Sequence, residues 1–182
     1  MIIIGITGTI GAGKGAIVEY LVKKKGFTHY SMRQFLTDEL QKRGLPLLRE
    51  NMFEIANEFR KTHGPGYLVE RFLSEAVAKG DNAVIESIRS VGEIEKLKAE
   101  PNSVLVAVDS DIKTRYQRIL KRKSSTDMIS FEKFVEDEQK ESVSNEPWSQ
   151  NLNKCRELAD HVIDNNKSLN DLYVQIDKIL NL

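Results

Sequence analysis

Apolar residues fall in short dense runs along this chain, and longer stretches with helical spacing separate the runs. Four runs, Ile2 to Thr7, Ala83 to Glu86, Val104 to Asp109 and His161 to Asp164, are apolar at most positions and too short for helices. A strand covered on both faces reads this way, so they predict buried parallel strands. Thr28-His29-Tyr30 gives a fifth, weaker strand. Between them the pattern switches to helix. Ala16 to Lys25 is one such stretch, stopped at Gly26 after a solvated Lys23-Lys24-Lys25 turn. Residues 32–79 form a long helical insert, broken at Gly44-Leu45-Pro46 and at Gly64-Pro65-Gly66. Its segment Asn51 to Phe59 repeats apolar positions at helix spacing. In the tail, Leu169, Leu172, Ile176 and Ile179 share one helix face and predict packing on the sheet. Strands alternating with helices make a βαβ order. The expected fold is α/β: a five-stranded parallel sheet with helices on both faces, in one domain over residues 1–182.

Composition narrows the class. Lys and Arg number 27 and Asp and Glu 27, so the whole-molecule field does not steer the chain toward nucleic acid, and any grip on phosphate must be local. No apolar stretch approaches the roughly 20 residues of a membrane span. The N-terminal isoleucines read as a strand, not a leader. One cysteine, Cys155, excludes an internal disulfide and suits a reducing cytoplasm; it reads as a small buried filler. His29, His63 and His161 lack metal-ligand spacing. His161 reads as structural, and His63 as part of a turn shaping a substrate wall. Trp148, beside Pro147, reads as core packing or an anchor.

The chemistry concentrates at the first strand's end. Gly8-Thr9-Ile10-Gly11-Ala12-Gly13-Lys14-Gly15-Ala16 follows a buried strand and opens a helix. Strand, glycine loop with a lysine, then helix is the context of a phosphate-binding loop. Glycines let backbone N–H groups converge, the helix N-terminus adds partial positive charge, and Lys14 adds a full one. The expected ligand is a nucleoside triphosphate. The position that commonly carries a Mg²⁺-binding hydroxyl holds Gly15, and Ala16 follows. Mg²⁺ would then be held by nucleotide, water and a carboxylate elsewhere.

The Gly-Lys-Gly loop end resembles the adenylate-kinase branch of the P-loop nucleoside monophosphate kinases, with Ala16 where that branch has a threonine. The resemblance covers Ile2 to Leu182. It implies ATP and Mg²⁺ as cofactors and transfer of the γ-phosphate to a nucleoside monophosphate or related nucleotide. Residues 32–79 resemble the monophosphate-binding insert, and residues 115–141, with a polar break at Ser124-Ser125-Thr126-Asp127, resemble a short lid. Glu86 resembles the acidic residue of the family's Asp-Gly-Phe-Pro-Arg stretch and is the candidate metal residue, acting through water. Arg89 resembles that stretch's arginine, with the spacing one residue shorter, and its fork suits a phosphate. Ser31, Arg33 and Arg60 are further candidate acceptor ligands. Arg115, Arg118 and Arg122 lie on one helix face, a row of cations that calls for an anion. Arg118 and Arg122 are the stronger candidates for the transferring phosphate, with Lys14 and Arg89 completing the catalytic set.

A second resemblance competes. Gly5-Ile6-Thr7-Gly8 and Ala159 to Asn165 are similar to segments of dephospho-CoA kinases. That family places an aspartate after its second strand, where this chain runs Tyr30-Ser31-Met32-Arg33. Ala16 also leaves room for a nucleotide-dependent switch or assembly factor with weak ATPase. The base, the sugar and the choice between monomer and homodimer are not legible.

Overall fold

In the computed structural model, residues 1–122 and 129–181 are described. The polar break at 124–127 expected inside the lid lies outside them. Five strands form one parallel sheet in the order β2-β3-β1-β4-β5: β1 Ile3–Thr7, β2 Thr28–Ser31, β3 Ala83–Glu86, β4 Ser103–Asp109 and β5 His161–Asp164. Ile4 pairs with Val84 on one side and Val104 on the other, so β1 is central.

Alternation along β1 explains why the sheet needs cover on both faces. Ile3 points into one apolar cluster with Ala83, Ile85 and Leu105; Ile4 and Ile6 point into another with Val84, Val106 and Val108. Successive strand side chains face opposite ways, and each isoleucine here is at most 1 % exposed. Helix α1 (Lys14–Lys25) and the C-terminal helix α9 (Leu169–Leu180) close the second cluster through Ile17, Leu21, Leu172 and Ile176. The insert closes the first, as three helices: α2 (Met32–Lys42), α3 (Arg49–His63) and α4 (Tyr67–Lys79), joined there by α5 (Val91–Lys98). Helix α6 (Ile112–Arg122), helix α7 (Phe131–Ser142) and a short helix α8 (Leu152–Glu157), absent from the sequence expectation, complete the described elements.

Caps set the ends. Gly26 stops α1 at φ 72°, a left-handed turn that glycine adopts without strain. Ser31 ends β2 and caps α2 by accepting the Gln34 N–H. Ser90 and Glu93 form a capping box on α5. Gly66 and Gly92 let α4 and α5 pack tightly, since a Cβ at Gly66 would sit 2.6 Å from the Gly92 carbonyl. The Gly64-Pro65-Gly66 turn therefore braces α5 and does not line the cleft, and His63 stacks between Phe59 and Tyr67.

Candidate functional site

Open parallel sheets present ligands beyond the carboxyl ends of their strands, where neighbouring connections diverge. Here β1, β3 and β4 end side by side, and a cleft of about 550 Å³ opens above them.

Its floor is the glycine loop. Gly11 and Gly13 hold φ 77° and 114°, backbone that a side chain strains. Space excludes one as well: a Cβ at Gly13 would lie 2.1 Å from the Asn165 amide nitrogen. Asn165, just past β5, donates to the Ala12 carbonyl at 2.8 Å and so clamps the loop from outside. Lys14 Nζ donates to the Gly8 and Thr9 carbonyls at 2.6 and 2.8 Å. Desolvation lowers its pKa to about 7; Arg89 and Arg122 push the same way, and Glu86 and Glu141 oppose them. The Thr9 hydroxyl is buried with no hydrogen-bond partner among the described residues. A loop that strips water from a lysine and orphans a hydroxyl is poised for a strongly accepting, anionic ligand.

Glu86 stands at the end of β3, beside the loop. Its Oε1 accepts from Ser31 Oγ at 3.2 Å and lies 3.6 Å from His29 Nε2. Burial pushes its carboxyl up, but His29, Lys14 and Ser31 hold it below the usual carboxylate range. Ser87 follows at φ 66°, uncommon for a side-chain residue, and lines the cleft. Among the described residues no three His, Cys, Asp or Glu side chains gather as a metal site. The donor set thus fits a Mg²⁺ that arrives on a nucleotide and meets Glu86 through water, and does not fit a resident ion held by protein alone.

Arg89 is held from four directions. Its N–H donates to Glu93 Oε2 at 2.8 Å and its carbonyl accepts from Asn151 N–H at 2.8 Å. Its Nη1 donates to Glu141 Oε2 and, at 2.9 Å, to Gln150 Oε1. Glu141 Oε1 accepts from Arg49 Nη2 at 2.8 Å and from Arg49 Nε at 3.2 Å. Burial raises the Glu141 pKa, yet Arg89 and Arg49 outweigh it and bring it down to about 2. Ring-like support of this kind fixes a side chain before any ligand arrives.

Two expected ligands take other places. Arg60 was expected to grip the acceptor; its guanidinium is 1 % exposed, and Nε donates to Glu93 Oε1 at 2.8 Å. Since Glu93 also holds the Arg89 N–H, Arg60 bears on the site through Glu93, with one edge reaching the cleft wall. Ser31 is outside the cleft lining, its hydroxyl taken up by the α2 cap and Glu86. Arg33 does line the cleft.

The cation row of α6 divides. Arg115 is buried and pairs with Glu138 of α7, so the anion facing it is internal. Arg118 Nη2 donates to the Asn165 carbonyl at 2.8 Å, and its Nη1 sits 3.4 Å from the Ala12 carbonyl. Arg118 and Arg122 both line the cleft. Cys155 is fully buried, its thiol pushed up to about 12 by desolvation, as a filler requires. Lys61 sits over the Trp148 ring. No helix among the described residues is long and apolar enough to cross a membrane.

Sequence reasoning missed Arg49, Glu93, Glu141 and Gln150. The only local signal was Ser90-x-x-Glu93, a capping-box spacing. Arg49 and Glu141 are 92 residues apart, and nothing local marks either one.

The clamped glycine loop, the half-buried Lys14 and the carboxylate at the adjacent strand end stand on a fold that known proteins share. Residues 4–144 match the AAA_18 family, described as an AAA domain. A UPF0200 protein of Methanocaldococcus jannaschii is 32 % identical over 99 % of this chain and 89 % of its own length. The chain belongs to the UPF0200 family. Among solved structures, shikimate kinase from Acinetobacter baumannii in complex with shikimate is similar, with TM-score 0.58 and 17 % identity over 99 % of this chain and 93 % of that one. A sugar kinase from Janibacter is similar at TM-score 0.60 and 14 % identity, over 100 % and 95 % of the two chains. This UPF0200 chain therefore has the P-loop kinase fold.

Proposed function

We propose that this UPF0200 protein is an ATP-dependent phosphotransferase that moves the γ-phosphoryl group of ATP to the phosphate of a nucleoside monophosphate. One observation carries the reading: a single cleft joins the phosphate-binding loop to an acceptor wall that is both apolar and cationic. Met32, Leu36, Met52, Phe53 and Ala56 give flat apolar surface, and Arg33, Arg49 and Arg89 give charge. An acceptor with an aromatic body and an anionic group satisfies both.

The roles follow from position. Loop N–H groups and Lys14 hold the donor phosphates. Arg33 and Arg89 hold the acceptor phosphate. Arg118 and Arg122, on α6 above the loop, stabilise charge as the phosphoryl group moves. An acceptor phosphate oxygen attacks the γ-phosphorus, the bond to the ADP oxygen breaks, and ADP and a nucleoside diphosphate leave. The acceptor is already an anion, so no side chain needs to take a proton. When bound, Mg²⁺ supplies charge neutralisation on the polyphosphate, and Glu86 is the residue that would hold its water shell.

A coupled ADP-release assay tests this over nucleoside monophosphates, dephospho-CoA, shikimate and gluconate. Acceptor-dependent ADP release with a monophosphate, and a nucleoside diphosphate among the products, is expected. Preference for shikimate or gluconate overturns the nucleotide acceptor. Slow ADP release that no acceptor stimulates replaces the kinase with a nucleotide-dependent switch, the reading that Gly15 and Ala16 favour by lacking a hydroxyl.

A further inference from the structure

Arg49 begins α3, Arg89 follows β3 and Glu141 nears the end of α7; the fold brings these three distant positions to one wall of the cleft. One carboxylate serves both arginines, Oε1 toward Arg49 and Oε2 toward Arg89. The side chains of both arginines are 20 % exposed and that of Glu141 is 8 % exposed. With Gln150, the group holds two cations, one anion and one neutral amide, a net charge of +1 facing a cleft that already contains Lys14 and Arg33. Arg49 Nη1 is buried and has no hydrogen-bond partner among the described residues. A strut between α3 and α7 would need only Nε and Nη2, which Glu141 already occupies. The remaining buried donor, on a cationic cleft wall, calls for an acceptor oxygen from outside the chain.

We propose that Arg49 is a second ligand for the acceptor's anionic group, forming with Arg89 a two-pronged grip, and that Glu141 is the positioning residue that sets the spacing of the prongs. This rests on the phosphotransferase reading for the identity of the acceptor, but not for the binding of an anion. Glu141 holds Arg49 through Nε and Nη2 and Arg89 through Nη1, which fixes both guanidiniums on the cleft wall. It also offsets the repulsion between two cations drawn close together. A planar fork that meets two oxygens of one phosphate is the geometry arginine suits and lysine does not.

The test separates the grip from the reaction. Wild-type protein is first saturated with Mg·ADP to fill the donor side, then titrated calorimetrically with AMP and, separately, with inorganic phosphate. Arg49→Ala, Arg49→Lys, Glu141→Gln and Glu141→Asp are measured alike, with melting temperatures and ATP affinities recorded for each. Arg49→Ala is expected to weaken both probes about ten- to a hundredfold, the range for a lost hydrogen bond to a charged group. Arg49→Lys should recover only part of that loss. Glu141→Gln should weaken both probes, and Glu141→Asp should restore part of the binding, with ATP affinity unchanged in the two Arg49 variants.

If Arg49→Ala and Arg49→Lys lower the melting temperature but bind both probes as wild type does, Arg49 is a strut and the proposal fails. It fails also if ADP-loaded wild type binds neither probe. If phosphate and AMP bind through Arg49 but no monophosphate is ever phosphorylated, the grip stands and the nucleoside monophosphate kinase reading falls. Should Glu141→Gln fail to fold, the two Arg49 variants still decide the case.

Discussion

The two halves of the cleft are built on different plans. The half proposed to take the donor is one contiguous stretch, residues 8–16, which lines the cleft with Ile10, three glycines, Ala16 and a single lysine. The half proposed to take the acceptor draws on α2, α3, the turn after β3, α7 and the 143–151 segment, and its charged groups are tied side chain to side chain. A backbone cradle tolerates almost no variation, because glycine φ values and close approaches define it. A side-chain cradle can change its ligand one residue at a time while the fold persists. On the proposed reading, that difference would put catalytic generality in the donor half and acceptor choice in the other.

Lys14→Ala should show the donor half at its most brittle. Nζ makes two hydrogen bonds to loop carbonyls, and a bound polyphosphate would take over those donors. Losing two charge-assisted bonds is worth about 3 kcal/mol or more, over a hundredfold in affinity. Calorimetric titration of ATP into both proteins should show near-complete loss of binding while the protein stays folded. Equal affinities would break the donor assignment.

Arg60→Ala attacks the acceptor half through its support. Arg60 and Glu93 are 1 % and 0 % exposed, and removing one partner leaves a buried charge unmatched. The expected cost is about 3–5 kcal/mol of stability, read as a lower denaturation midpoint in urea. Glu93 also holds the Arg89 N–H, so the acceptor KM should rise in whatever protein remains folded, while ATP affinity stays within about twofold. A loss confined to ATP would mean that the two halves are not built separately.

The same division explains what the sequence made legible. Strand runs, the glycine loop and Gly26 are signals within a few residues, each tied to local backbone geometry, and all appear where the pattern placed them. Arg60 was misjudged because helix spacing reports which face a residue shares, not what lies opposite; Glu93 is 33 residues away. Arg115 was read as one of three like charges for the same reason, its counter-ion Glu138 lying on another helix. Glu141 sat at the edge of the expected lid as one acidic residue among many. Only folding pairs it with Arg49 and Arg89.

Proton linkage sharpens the donor side further. Lys14 titrates at about 7 in the folded protein and near 10.5 when exposed, chiefly through desolvation. Between those values the unfolded chain holds a proton that the folded chain lacks, so this group makes stability rise with pH across that window. A polyphosphate favours the charged lysine and should raise its pKa. ATP binding at about pH 8 should therefore take up close to one proton, falling toward zero near pH 6. Titrations in two buffers of different ionisation enthalpy measure this uptake, and Lys14→Ala should remove it. Uptake that survives the substitution would assign the linkage to another group.

The smallest effect concerns the loop's unusual end. Unlike Gly11 and Gly13, Gly15 is exposed on the first turn of α1, and a Cβ there would meet nothing within 4 Å. Its conformation is helical, so a side chain costs no strain and reduces the freedom of the unfolded chain. Gly15→Ala should stabilise by about 0.4–1 kcal/mol, with ATP affinity unchanged. Gly15→Ser adds the hydroxyl that many such loops place near the metal. If Mg²⁺ on the nucleotide lacks a protein oxygen at this point, turnover by Gly15→Ser should reach half-saturation at lower Mg²⁺, with kcat equal or higher. A tenfold fall in kcat, about 1.4 kcal/mol in barrier, would mean instead that glycine keeps space for the closing partner. The acceptor half would then reach across to this turn, and residues 8–16 would no longer belong to the donor half alone.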